Sequence, residues 1–303
     1  MRQGLKRLAR TFGADISRHR TPLDLSHLGD IHPIEAAYRA GSRPVLLKVP
    51  LEKCLTFDLS AFVPTAQGLS PFVHALREWQ AGKADCYEQS LLKAFYDRYQ
   101  PRTAADMYGI EEAESRELGK LAPSAAPLPW RAQKPAKLAS LRKAQIEKEN
   151  REHGARLSAD NGDPFIGPVS PRKGALEYAR LTGVYKSIRS EGFKIDPTGS
   201  LNIRVIALVA GDLWRWMVVV SGQHRLAALS AIGYQEAVVQ LQTSEGLGGI
   251  VIKDHRAHFP LVQDGVVSVS EMTSLFERLL DGRPPPCADA WAREIESDSK
   301  NGQ

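Results

Sequence analysis

The stretch Val218-Val219-Val220-Ser221-Gly222-Gln223-His224-Arg225-Leu226-Ala227-Ala228-Leu229 constrains this chain most. A β-branched apolar run stops at Ser-Gly, and a helix-forming run begins at once with a histidine and an arginine in its first turn. A strand that turns through glycine into a helix leaves the helix's first backbone N–H groups aimed outward. The glycine lets the backbone come close to a ligand. His224 and Arg225 add side-chain donors to that positive end. The order strand, Gly-x-His-Arg, helix predicts a site for a phosphate or a carboxylate, with Ser221, Gly222, Gln223, His224 and Arg225 as its residues. Taken alone the motif is weak, since strand–Gly–helix junctions are common architecture and a lone histidine is more often structural. The surrounding pattern gives it weight.

That pattern is tightly ordered. Leu176, Ala179, Leu181, Val184, Tyr185 and Ile188 recur at helical spacing, and Gly192 closes the helix. Asp196-Pro197-Thr198-Gly199 is a turn. Residues 203–209 and 214–220 read as strands of a hairpin closed by Gly211-Asp212, and 237–241 as a further strand. Upstream, Val45, Leu47 and Val49 alternate in a strand that Pro50 closes. Two helical stretches follow within 70–99. Phe72, Leu76 and Trp79 mark the first, and Leu91, Leu92, Phe95 and Tyr99 the second. Residues 122–136 form a Pro/Ala-rich connector, 137–157 a charged solvated helix, and 158–171 a loop. Residues 149–154 mix acid, base and histidine just before the ordered segment, which makes them a candidate pocket edge. A last helix runs over 268–281. The residues beyond Pro284-Pro285-Pro286 read as a loose polar tail.

A net charge of +5 over 303 residues fits an anionic ligand, a membrane surface or nucleic acid, without choosing among them. Cys54, Cys86 and Cys287 lie far apart, with neither disulfide nor metal spacing, as in a reduced cytoplasmic protein. No apolar run approaches a transmembrane length, and no secretory h-region is present. Leu5, Leu8, Phe12 and Ile16, interleaved with basic residues, form a basic amphipathic helix over 1–20. Packing on the protein body is its plain reading, and peripheral contact with the inner face of a membrane is the alternative.

The run Ser-Ile-Arg-Ser-Glu-Gly-Phe at 187–193, the hairpin, and Ser-Gly-Gln-His-Arg at 221–225 resemble the ParB/sulfiredoxin superfamily over residues 170–243, in its Gly-Gln-His-Arg variant. The resemblance implies an α+β fold, a small mixed sheet with flanking helices. Residues 43–59 would supply its first strand, 60–169 a helical insertion that splits the domain, and 170–260 the nucleotide-binding core. Residues 1–42 would be a lead-in, and 261–303 a C-terminal helix and tail. It also implies a bound nucleotide, ATP or CTP with Mg²⁺, whose phosphates meet His224 and Arg225 at the helix start. Ser170, Arg172 and Lys173 would form a second clamp at the start of the preceding helix. Gln223 stands where sulfiredoxins need a cysteine, which excludes sulfinic-acid reduction. Ser221 stands where an aspartate often opens the motif, so the role the resemblance gives that aspartate is either absent here or has moved to another carboxylate. Asp163, Glu191 and Asp196 are the candidates, with Asp212 beside them.

The function expected is an ATP-dependent phosphotransferase acting on a small molecule or glycan precursor. Phosphoryl transfer needs charge neutralisation and positioning more than a strong nucleophile. The alternative is a nucleotide-gated DNA-binding or DNA-modification accessory protein. Against it, the residues after the motif show one clear helix and no recognition-helix pair, and no acidic metal cluster accompanies the motif.

Overall fold

Residues 204–210 read Arg-Val-Ile-Ala-Leu-Val-Ala, an almost unbroken apolar run, and such a strand must be covered on both faces. In the computed structural model it is the hub of a mixed sheet. The structure describes residues 21–41, 43–110, 117–199, 201–219, 221–241 and 249–301. Their strands are β1 (Leu23–Asp24), β2 (Val45–Pro50), β3 (Cys54–Leu55), β4 (Arg204–Ala210), β5 (Leu213–Val218), β6 (Glu236–Leu241) and β7 (Ile250–Ile252). The order is β1-β2-β6-β4-β5-β3, and β7 also pairs with β4. Val205 to Val209 are each at most 1% exposed.

The expected hairpin forms. β4 and β5 pair antiparallel from Val205↔Val218 to Ala210↔Leu213. The other edge of β4 is shared. Arg204 and Val205 run parallel to β6, and Ala207, Leu208 and Val209 run parallel to β7. The early strand β2 joins the same sheet, antiparallel to β6 from Val45↔Leu241 to Pro50↔Glu236, and Lys48 meets Glu236 across the pair at 2.8 Å.

The helices are α1 (Pro33–Ala40), α2 (Pro71–Gln80), α3 (Leu91–Arg98), α4 (Ala104–Tyr108), α5 (Pro135–Glu152), α6 (Pro171–Glu191), α7 (Gln223–Ile232), α8 (Pro260–Gln263), α9 (Val269–Leu280) and α10 (Asp289–Asn301). Proline opens α1, α2, α5 and α6, where its missing N–H costs nothing. Ser268 and Glu271 form a capping box at α9. α7, the helix of the motif, packs against α6 and α2.

Residues of the expected insertion share one core with the sheet. Phe62, Phe72, Phe95 and Tyr99, with Phe57 just before them, pack edge to face, tilted or, for Phe95 and Tyr99, stacked, with ring centroids 4.8–6.0 Å apart, and they belong to the same buried cluster as Leu55, Trp216 and Met217. Gly174 lets α6 lie against this layer. A Cβ there would fall 2.0 Å from Tyr87 Cζ.

The polar tail departs from expectation. Residues 289–301 form α10, Trp291 is fully buried, and its indole N–H donates to Leu69 O at 2.9 Å. The charged composition masks one apolar stripe, Trp291 and Ile295, four residues apart. The solvated helix is observed as α5, with only Ile146 and Asn150 buried. The basic helix expected over 1–20 lies outside the described residues. Among the described residues no helix is long and apolar enough to cross a membrane.

Candidate functional site

β5 delivers the chain to Gly222, which adopts φ +115° as the residue before α7. An L side chain is strained at that angle, and a Cβ would lie 2.8 Å from Ile203 Cγ2. Among the described residues no side chain caps α7, so its first turn keeps the positive end of the helix without a side-chain acceptor. Three side chains leave this turn for three different surroundings.

Arg225 is half-buried, and among the described residues its Nη2 reaches only Asn202 O, at 3.4 Å. Burial, with Arg204 close by, pushes its pKa below the ordinary guanidinium value. Arg204, at the start of β4, has a buried Nε without a hydrogen-bond partner among the described residues. Among the described residues no carboxylate pairs with either arginine. Two neighbouring guanidiniums, one desolvated, repel each other beside a positive helix end, an arrangement with the chemistry to receive an anion. Ser221 Oγ also donates to Asn202 O, at 3.3 Å.

His224 turns inward instead. Its ring stacks on Phe72 at 4.5 Å with an interplanar angle of 15°, and its Nε2 lies 3.5 Å from Glu177 Oε2. Glu177 is fully buried on α6. It takes Lys173 Nζ at 2.5 Å and Arg180 Nη1 at 2.9 and 3.0 Å. Burial by itself would raise its pKa, but His224, Arg180 and Lys173 together hold the carboxyl well below the usual range. Lys173 is fully buried too, and its second acceptor is Asn150 Oδ1 at 2.6 Å. Burial and Arg180 keep His153 below the ordinary imidazole pKa. Residues 149–153 thus meet the motif helix through Glu177, where the sequence allowed a pocket edge.

Gln223 is buried and ties two backbones together. It accepts from Phe57 N and donates to Val218 O, both at 3.3 Å.

The residues of the expected second clamp separate. Ser170 Oγ caps α6 by accepting from Lys173 N at 3.2 Å and donates to Asn161 Oδ1. Arg172 is exposed at the surface, and Lys173 is sealed beneath it. The candidate carboxylates are also dispersed. Glu191 is exposed and paired with Lys194 at 2.8 Å. Asp196 binds its own turn through Thr198 N and Leu201 N. Asp163 is forked onto Arg142 at 2.5 and 2.6 Å. None of the three faces His224, and Glu177 holds that place. The periodicity that identified α6 treats Glu177 as an ordinary helix residue. Its spacing of four from Lys173 was the readable signal.

Among the described residues no group of three or more His, Cys, Asp or Glu could hold a metal ion. The fold and site together define a mixed α/β protein whose motif helix presents an uncompensated cationic end. Compared with family models, curated proteins and solved structures, the chain matches none.

Proposed function

We propose that this chain is a nucleotide-binding protein of the ParB/sulfiredoxin-like type that transfers a phosphoryl group to a small acceptor. One observation carries the reading. Arg204 and Arg225 stand together at the glycine-entered start of α7 with no carboxylate partner among the described residues. A polyphosphate would rest on the first-turn N–H groups and take its charge from both guanidiniums. Magnesium would arrive on the phosphates, ATP or CTP being the donor. Charge neutralisation of this kind is the main demand of phosphoryl transfer.

The nucleic-acid reading draws less support. Three basic side chains of α5 already face carboxylates, Arg142 with Asp163, Lys143 with Asp160 and Lys148 with Glu152.

The test is thermal unfolding with ATP and CTP, with and without Mg²⁺, followed by turnover with candidate acceptors. A nucleotide at a hundred times its Kd adds about 2.7 kcal/mol of stability. Arg225→Ala removes charged hydrogen bonds worth about 1.5–3 kcal/mol, so binding weakens about 10- to 100-fold. A parent protein that responds to neither nucleotide refutes the reading, and binding without turnover removes its transferase half.

A further inference from the structure

A cavity of about 360 Å³ opens between α5, the loop after β3 and the first residue of α7, within the size range of small-molecule sites. The loop backbone is unusual there. Phe57 and Asp58 take φ +60° and +49°, and Ala61 takes +53°, angles that non-glycine residues rarely adopt. Such strain persists only where the surroundings enforce it, and it clusters at ligand sites. Gln223 Oε1 accepts from Phe57 N on one side, and Arg278 Nη2 donates to Leu59 O at 2.9 Å on the other. The first residue of α7 thereby braces the loop that presents Asp58.

The Asp58 carboxylate forms no hydrogen bond or ion pair with the described residues, and Asp58, partly buried, lines the cavity. Burial pushes its pKa up, while Arg142 and Arg131 pull it down. The other acid on the wall, Asp163, is held by Arg142. Among the described lining residues the formal charges cancel, Asp58 and Asp163 against Arg131 and Arg142. A charged ligand would leave a net charge in a desolvated space, and a purely apolar one would leave Asp58 without a partner. The remaining polar lining is amide and hydroxyl, set beside the apolar Leu138, Leu141 and Phe165.

We infer that this cavity binds an uncharged polyhydroxylated molecule of monosaccharide or cyclitol size, one of whose hydroxyl groups donates to Asp58. The catalytic consequence rests on the phosphotransfer reading above. The hydroxyl oxygen bonds to the terminal phosphorus, the bridging P–O bond to the nucleoside diphosphate breaks, and the hydroxyl proton passes to Asp58. Val219 and Gln223 line the cavity and also flank the turn at Gly222, so acceptor and phosphate would meet at the start of α7.

The binding test uses the full chain without nucleotide. Glucose, N-acetylglucosamine, ribose and myo-inositol are each titrated by calorimetry and by saturation-transfer NMR. One of the four binds. Asp58→Asn weakens that binding at least tenfold while keeping the fold, because asparagine tolerates the left-handed backbone. Leu138→Trp, which fills the cavity from α5, abolishes it. No binding by any of the four, or unchanged binding in both variants, overturns the inference. Nucleotide-induced stabilisation is measured on the same samples. Acceptor binding without a nucleotide response upholds the cavity and refutes only the phosphotransfer reading. A nucleotide response without acceptor binding refutes the cavity alone.

Discussion

Glu177→Gln is the most informative single perturbation of this fold. The carboxylate is fully buried and joins Lys173 at 2.5 Å, Arg180 at 2.9 Å and His224 at 3.5 Å, so it connects α6 to the first turn of α7. Its loss leaves the fully buried Lys173 ammonium with Asn150 Oδ1 and an amide oxygen as acceptors. Removing one partner of a buried ion pair costs about 3–5 kcal/mol. Unfolding entropy of about 2.1 cal/mol/K per residue gives about 0.6 kcal/mol/K for a chain of this length. The expected fall in Tm at pH 7 is therefore about 5–8 °C. The double variant Lys173→Met/Glu177→Gln buries no unpaired ammonium and recovers most of that loss. The pH dependence has a definite sign. The folded-state pKa of Glu177 is depressed, so its stabilisation is complete above the unfolded value of about 4.3. It is lost as pH falls through the folded value. The variant accordingly shows a shallower loss of stability below about pH 4. The assay is circular-dichroism melting from pH 2 to 8. A Glu177→Gln protein melting within about 1 °C of the parent, or a double variant no more stable than the single one, refutes this account of the network.

Two further outcomes follow from burial. Trp291→Ala empties a fully buried site packed on Phe95 and costs about 3–5 kcal/mol, a Tm drop of about 5–8 °C, where a loose tail would show almost none. In thiol labelling at pH 8, the exposed Cys86 reacts at once. Cys287, its pKa pushed up to about 11 by burial, reacts slowly, and Cys54, pushed up to about 12, reacts only on unfolding. Rapid labelling of Cys54 in the native chain contradicts its full burial in β3.

What local pattern encodes was legible in the sequence. The 3.6-residue period marked α6 and α9, alternation marked β2, and Gly211-Asp212 marked the hairpin, because each signal lies within a dozen neighbouring residues. Gly222 was legible as a special position for the same reason, and the structure adds its φ and its contact with Ile203. The short strands β1, β3 and β7 were not. Two or three residues carry no period, and their pairing with β2, β5 and β4 comes from partners far off in the chain. The tail was misread because Trp291 is one residue in a polar run, and its contacts with Phe95, His74 and Leu69, all distant in the chain, make it core.

The site divides in the same way. Sequence alone determined that a helix starts at Gly222 with a histidine and an arginine in its first turn. Tertiary structure decided which way each side chain faces. Successive helix residues point about 100° apart, so Gln223, His224 and Arg225 enter three different surroundings set by Phe57, Glu177 and Asn202. It also sealed Lys173 against Glu177, sent Glu191 and Asp196 to the surface, and left Arg204 and Arg225 without a counter-charge among the described residues. Electrostatic pairing depends on distances of a few ångströms between residues scattered along the chain. Only the folded packing of α6, α7 and β4 sets those distances.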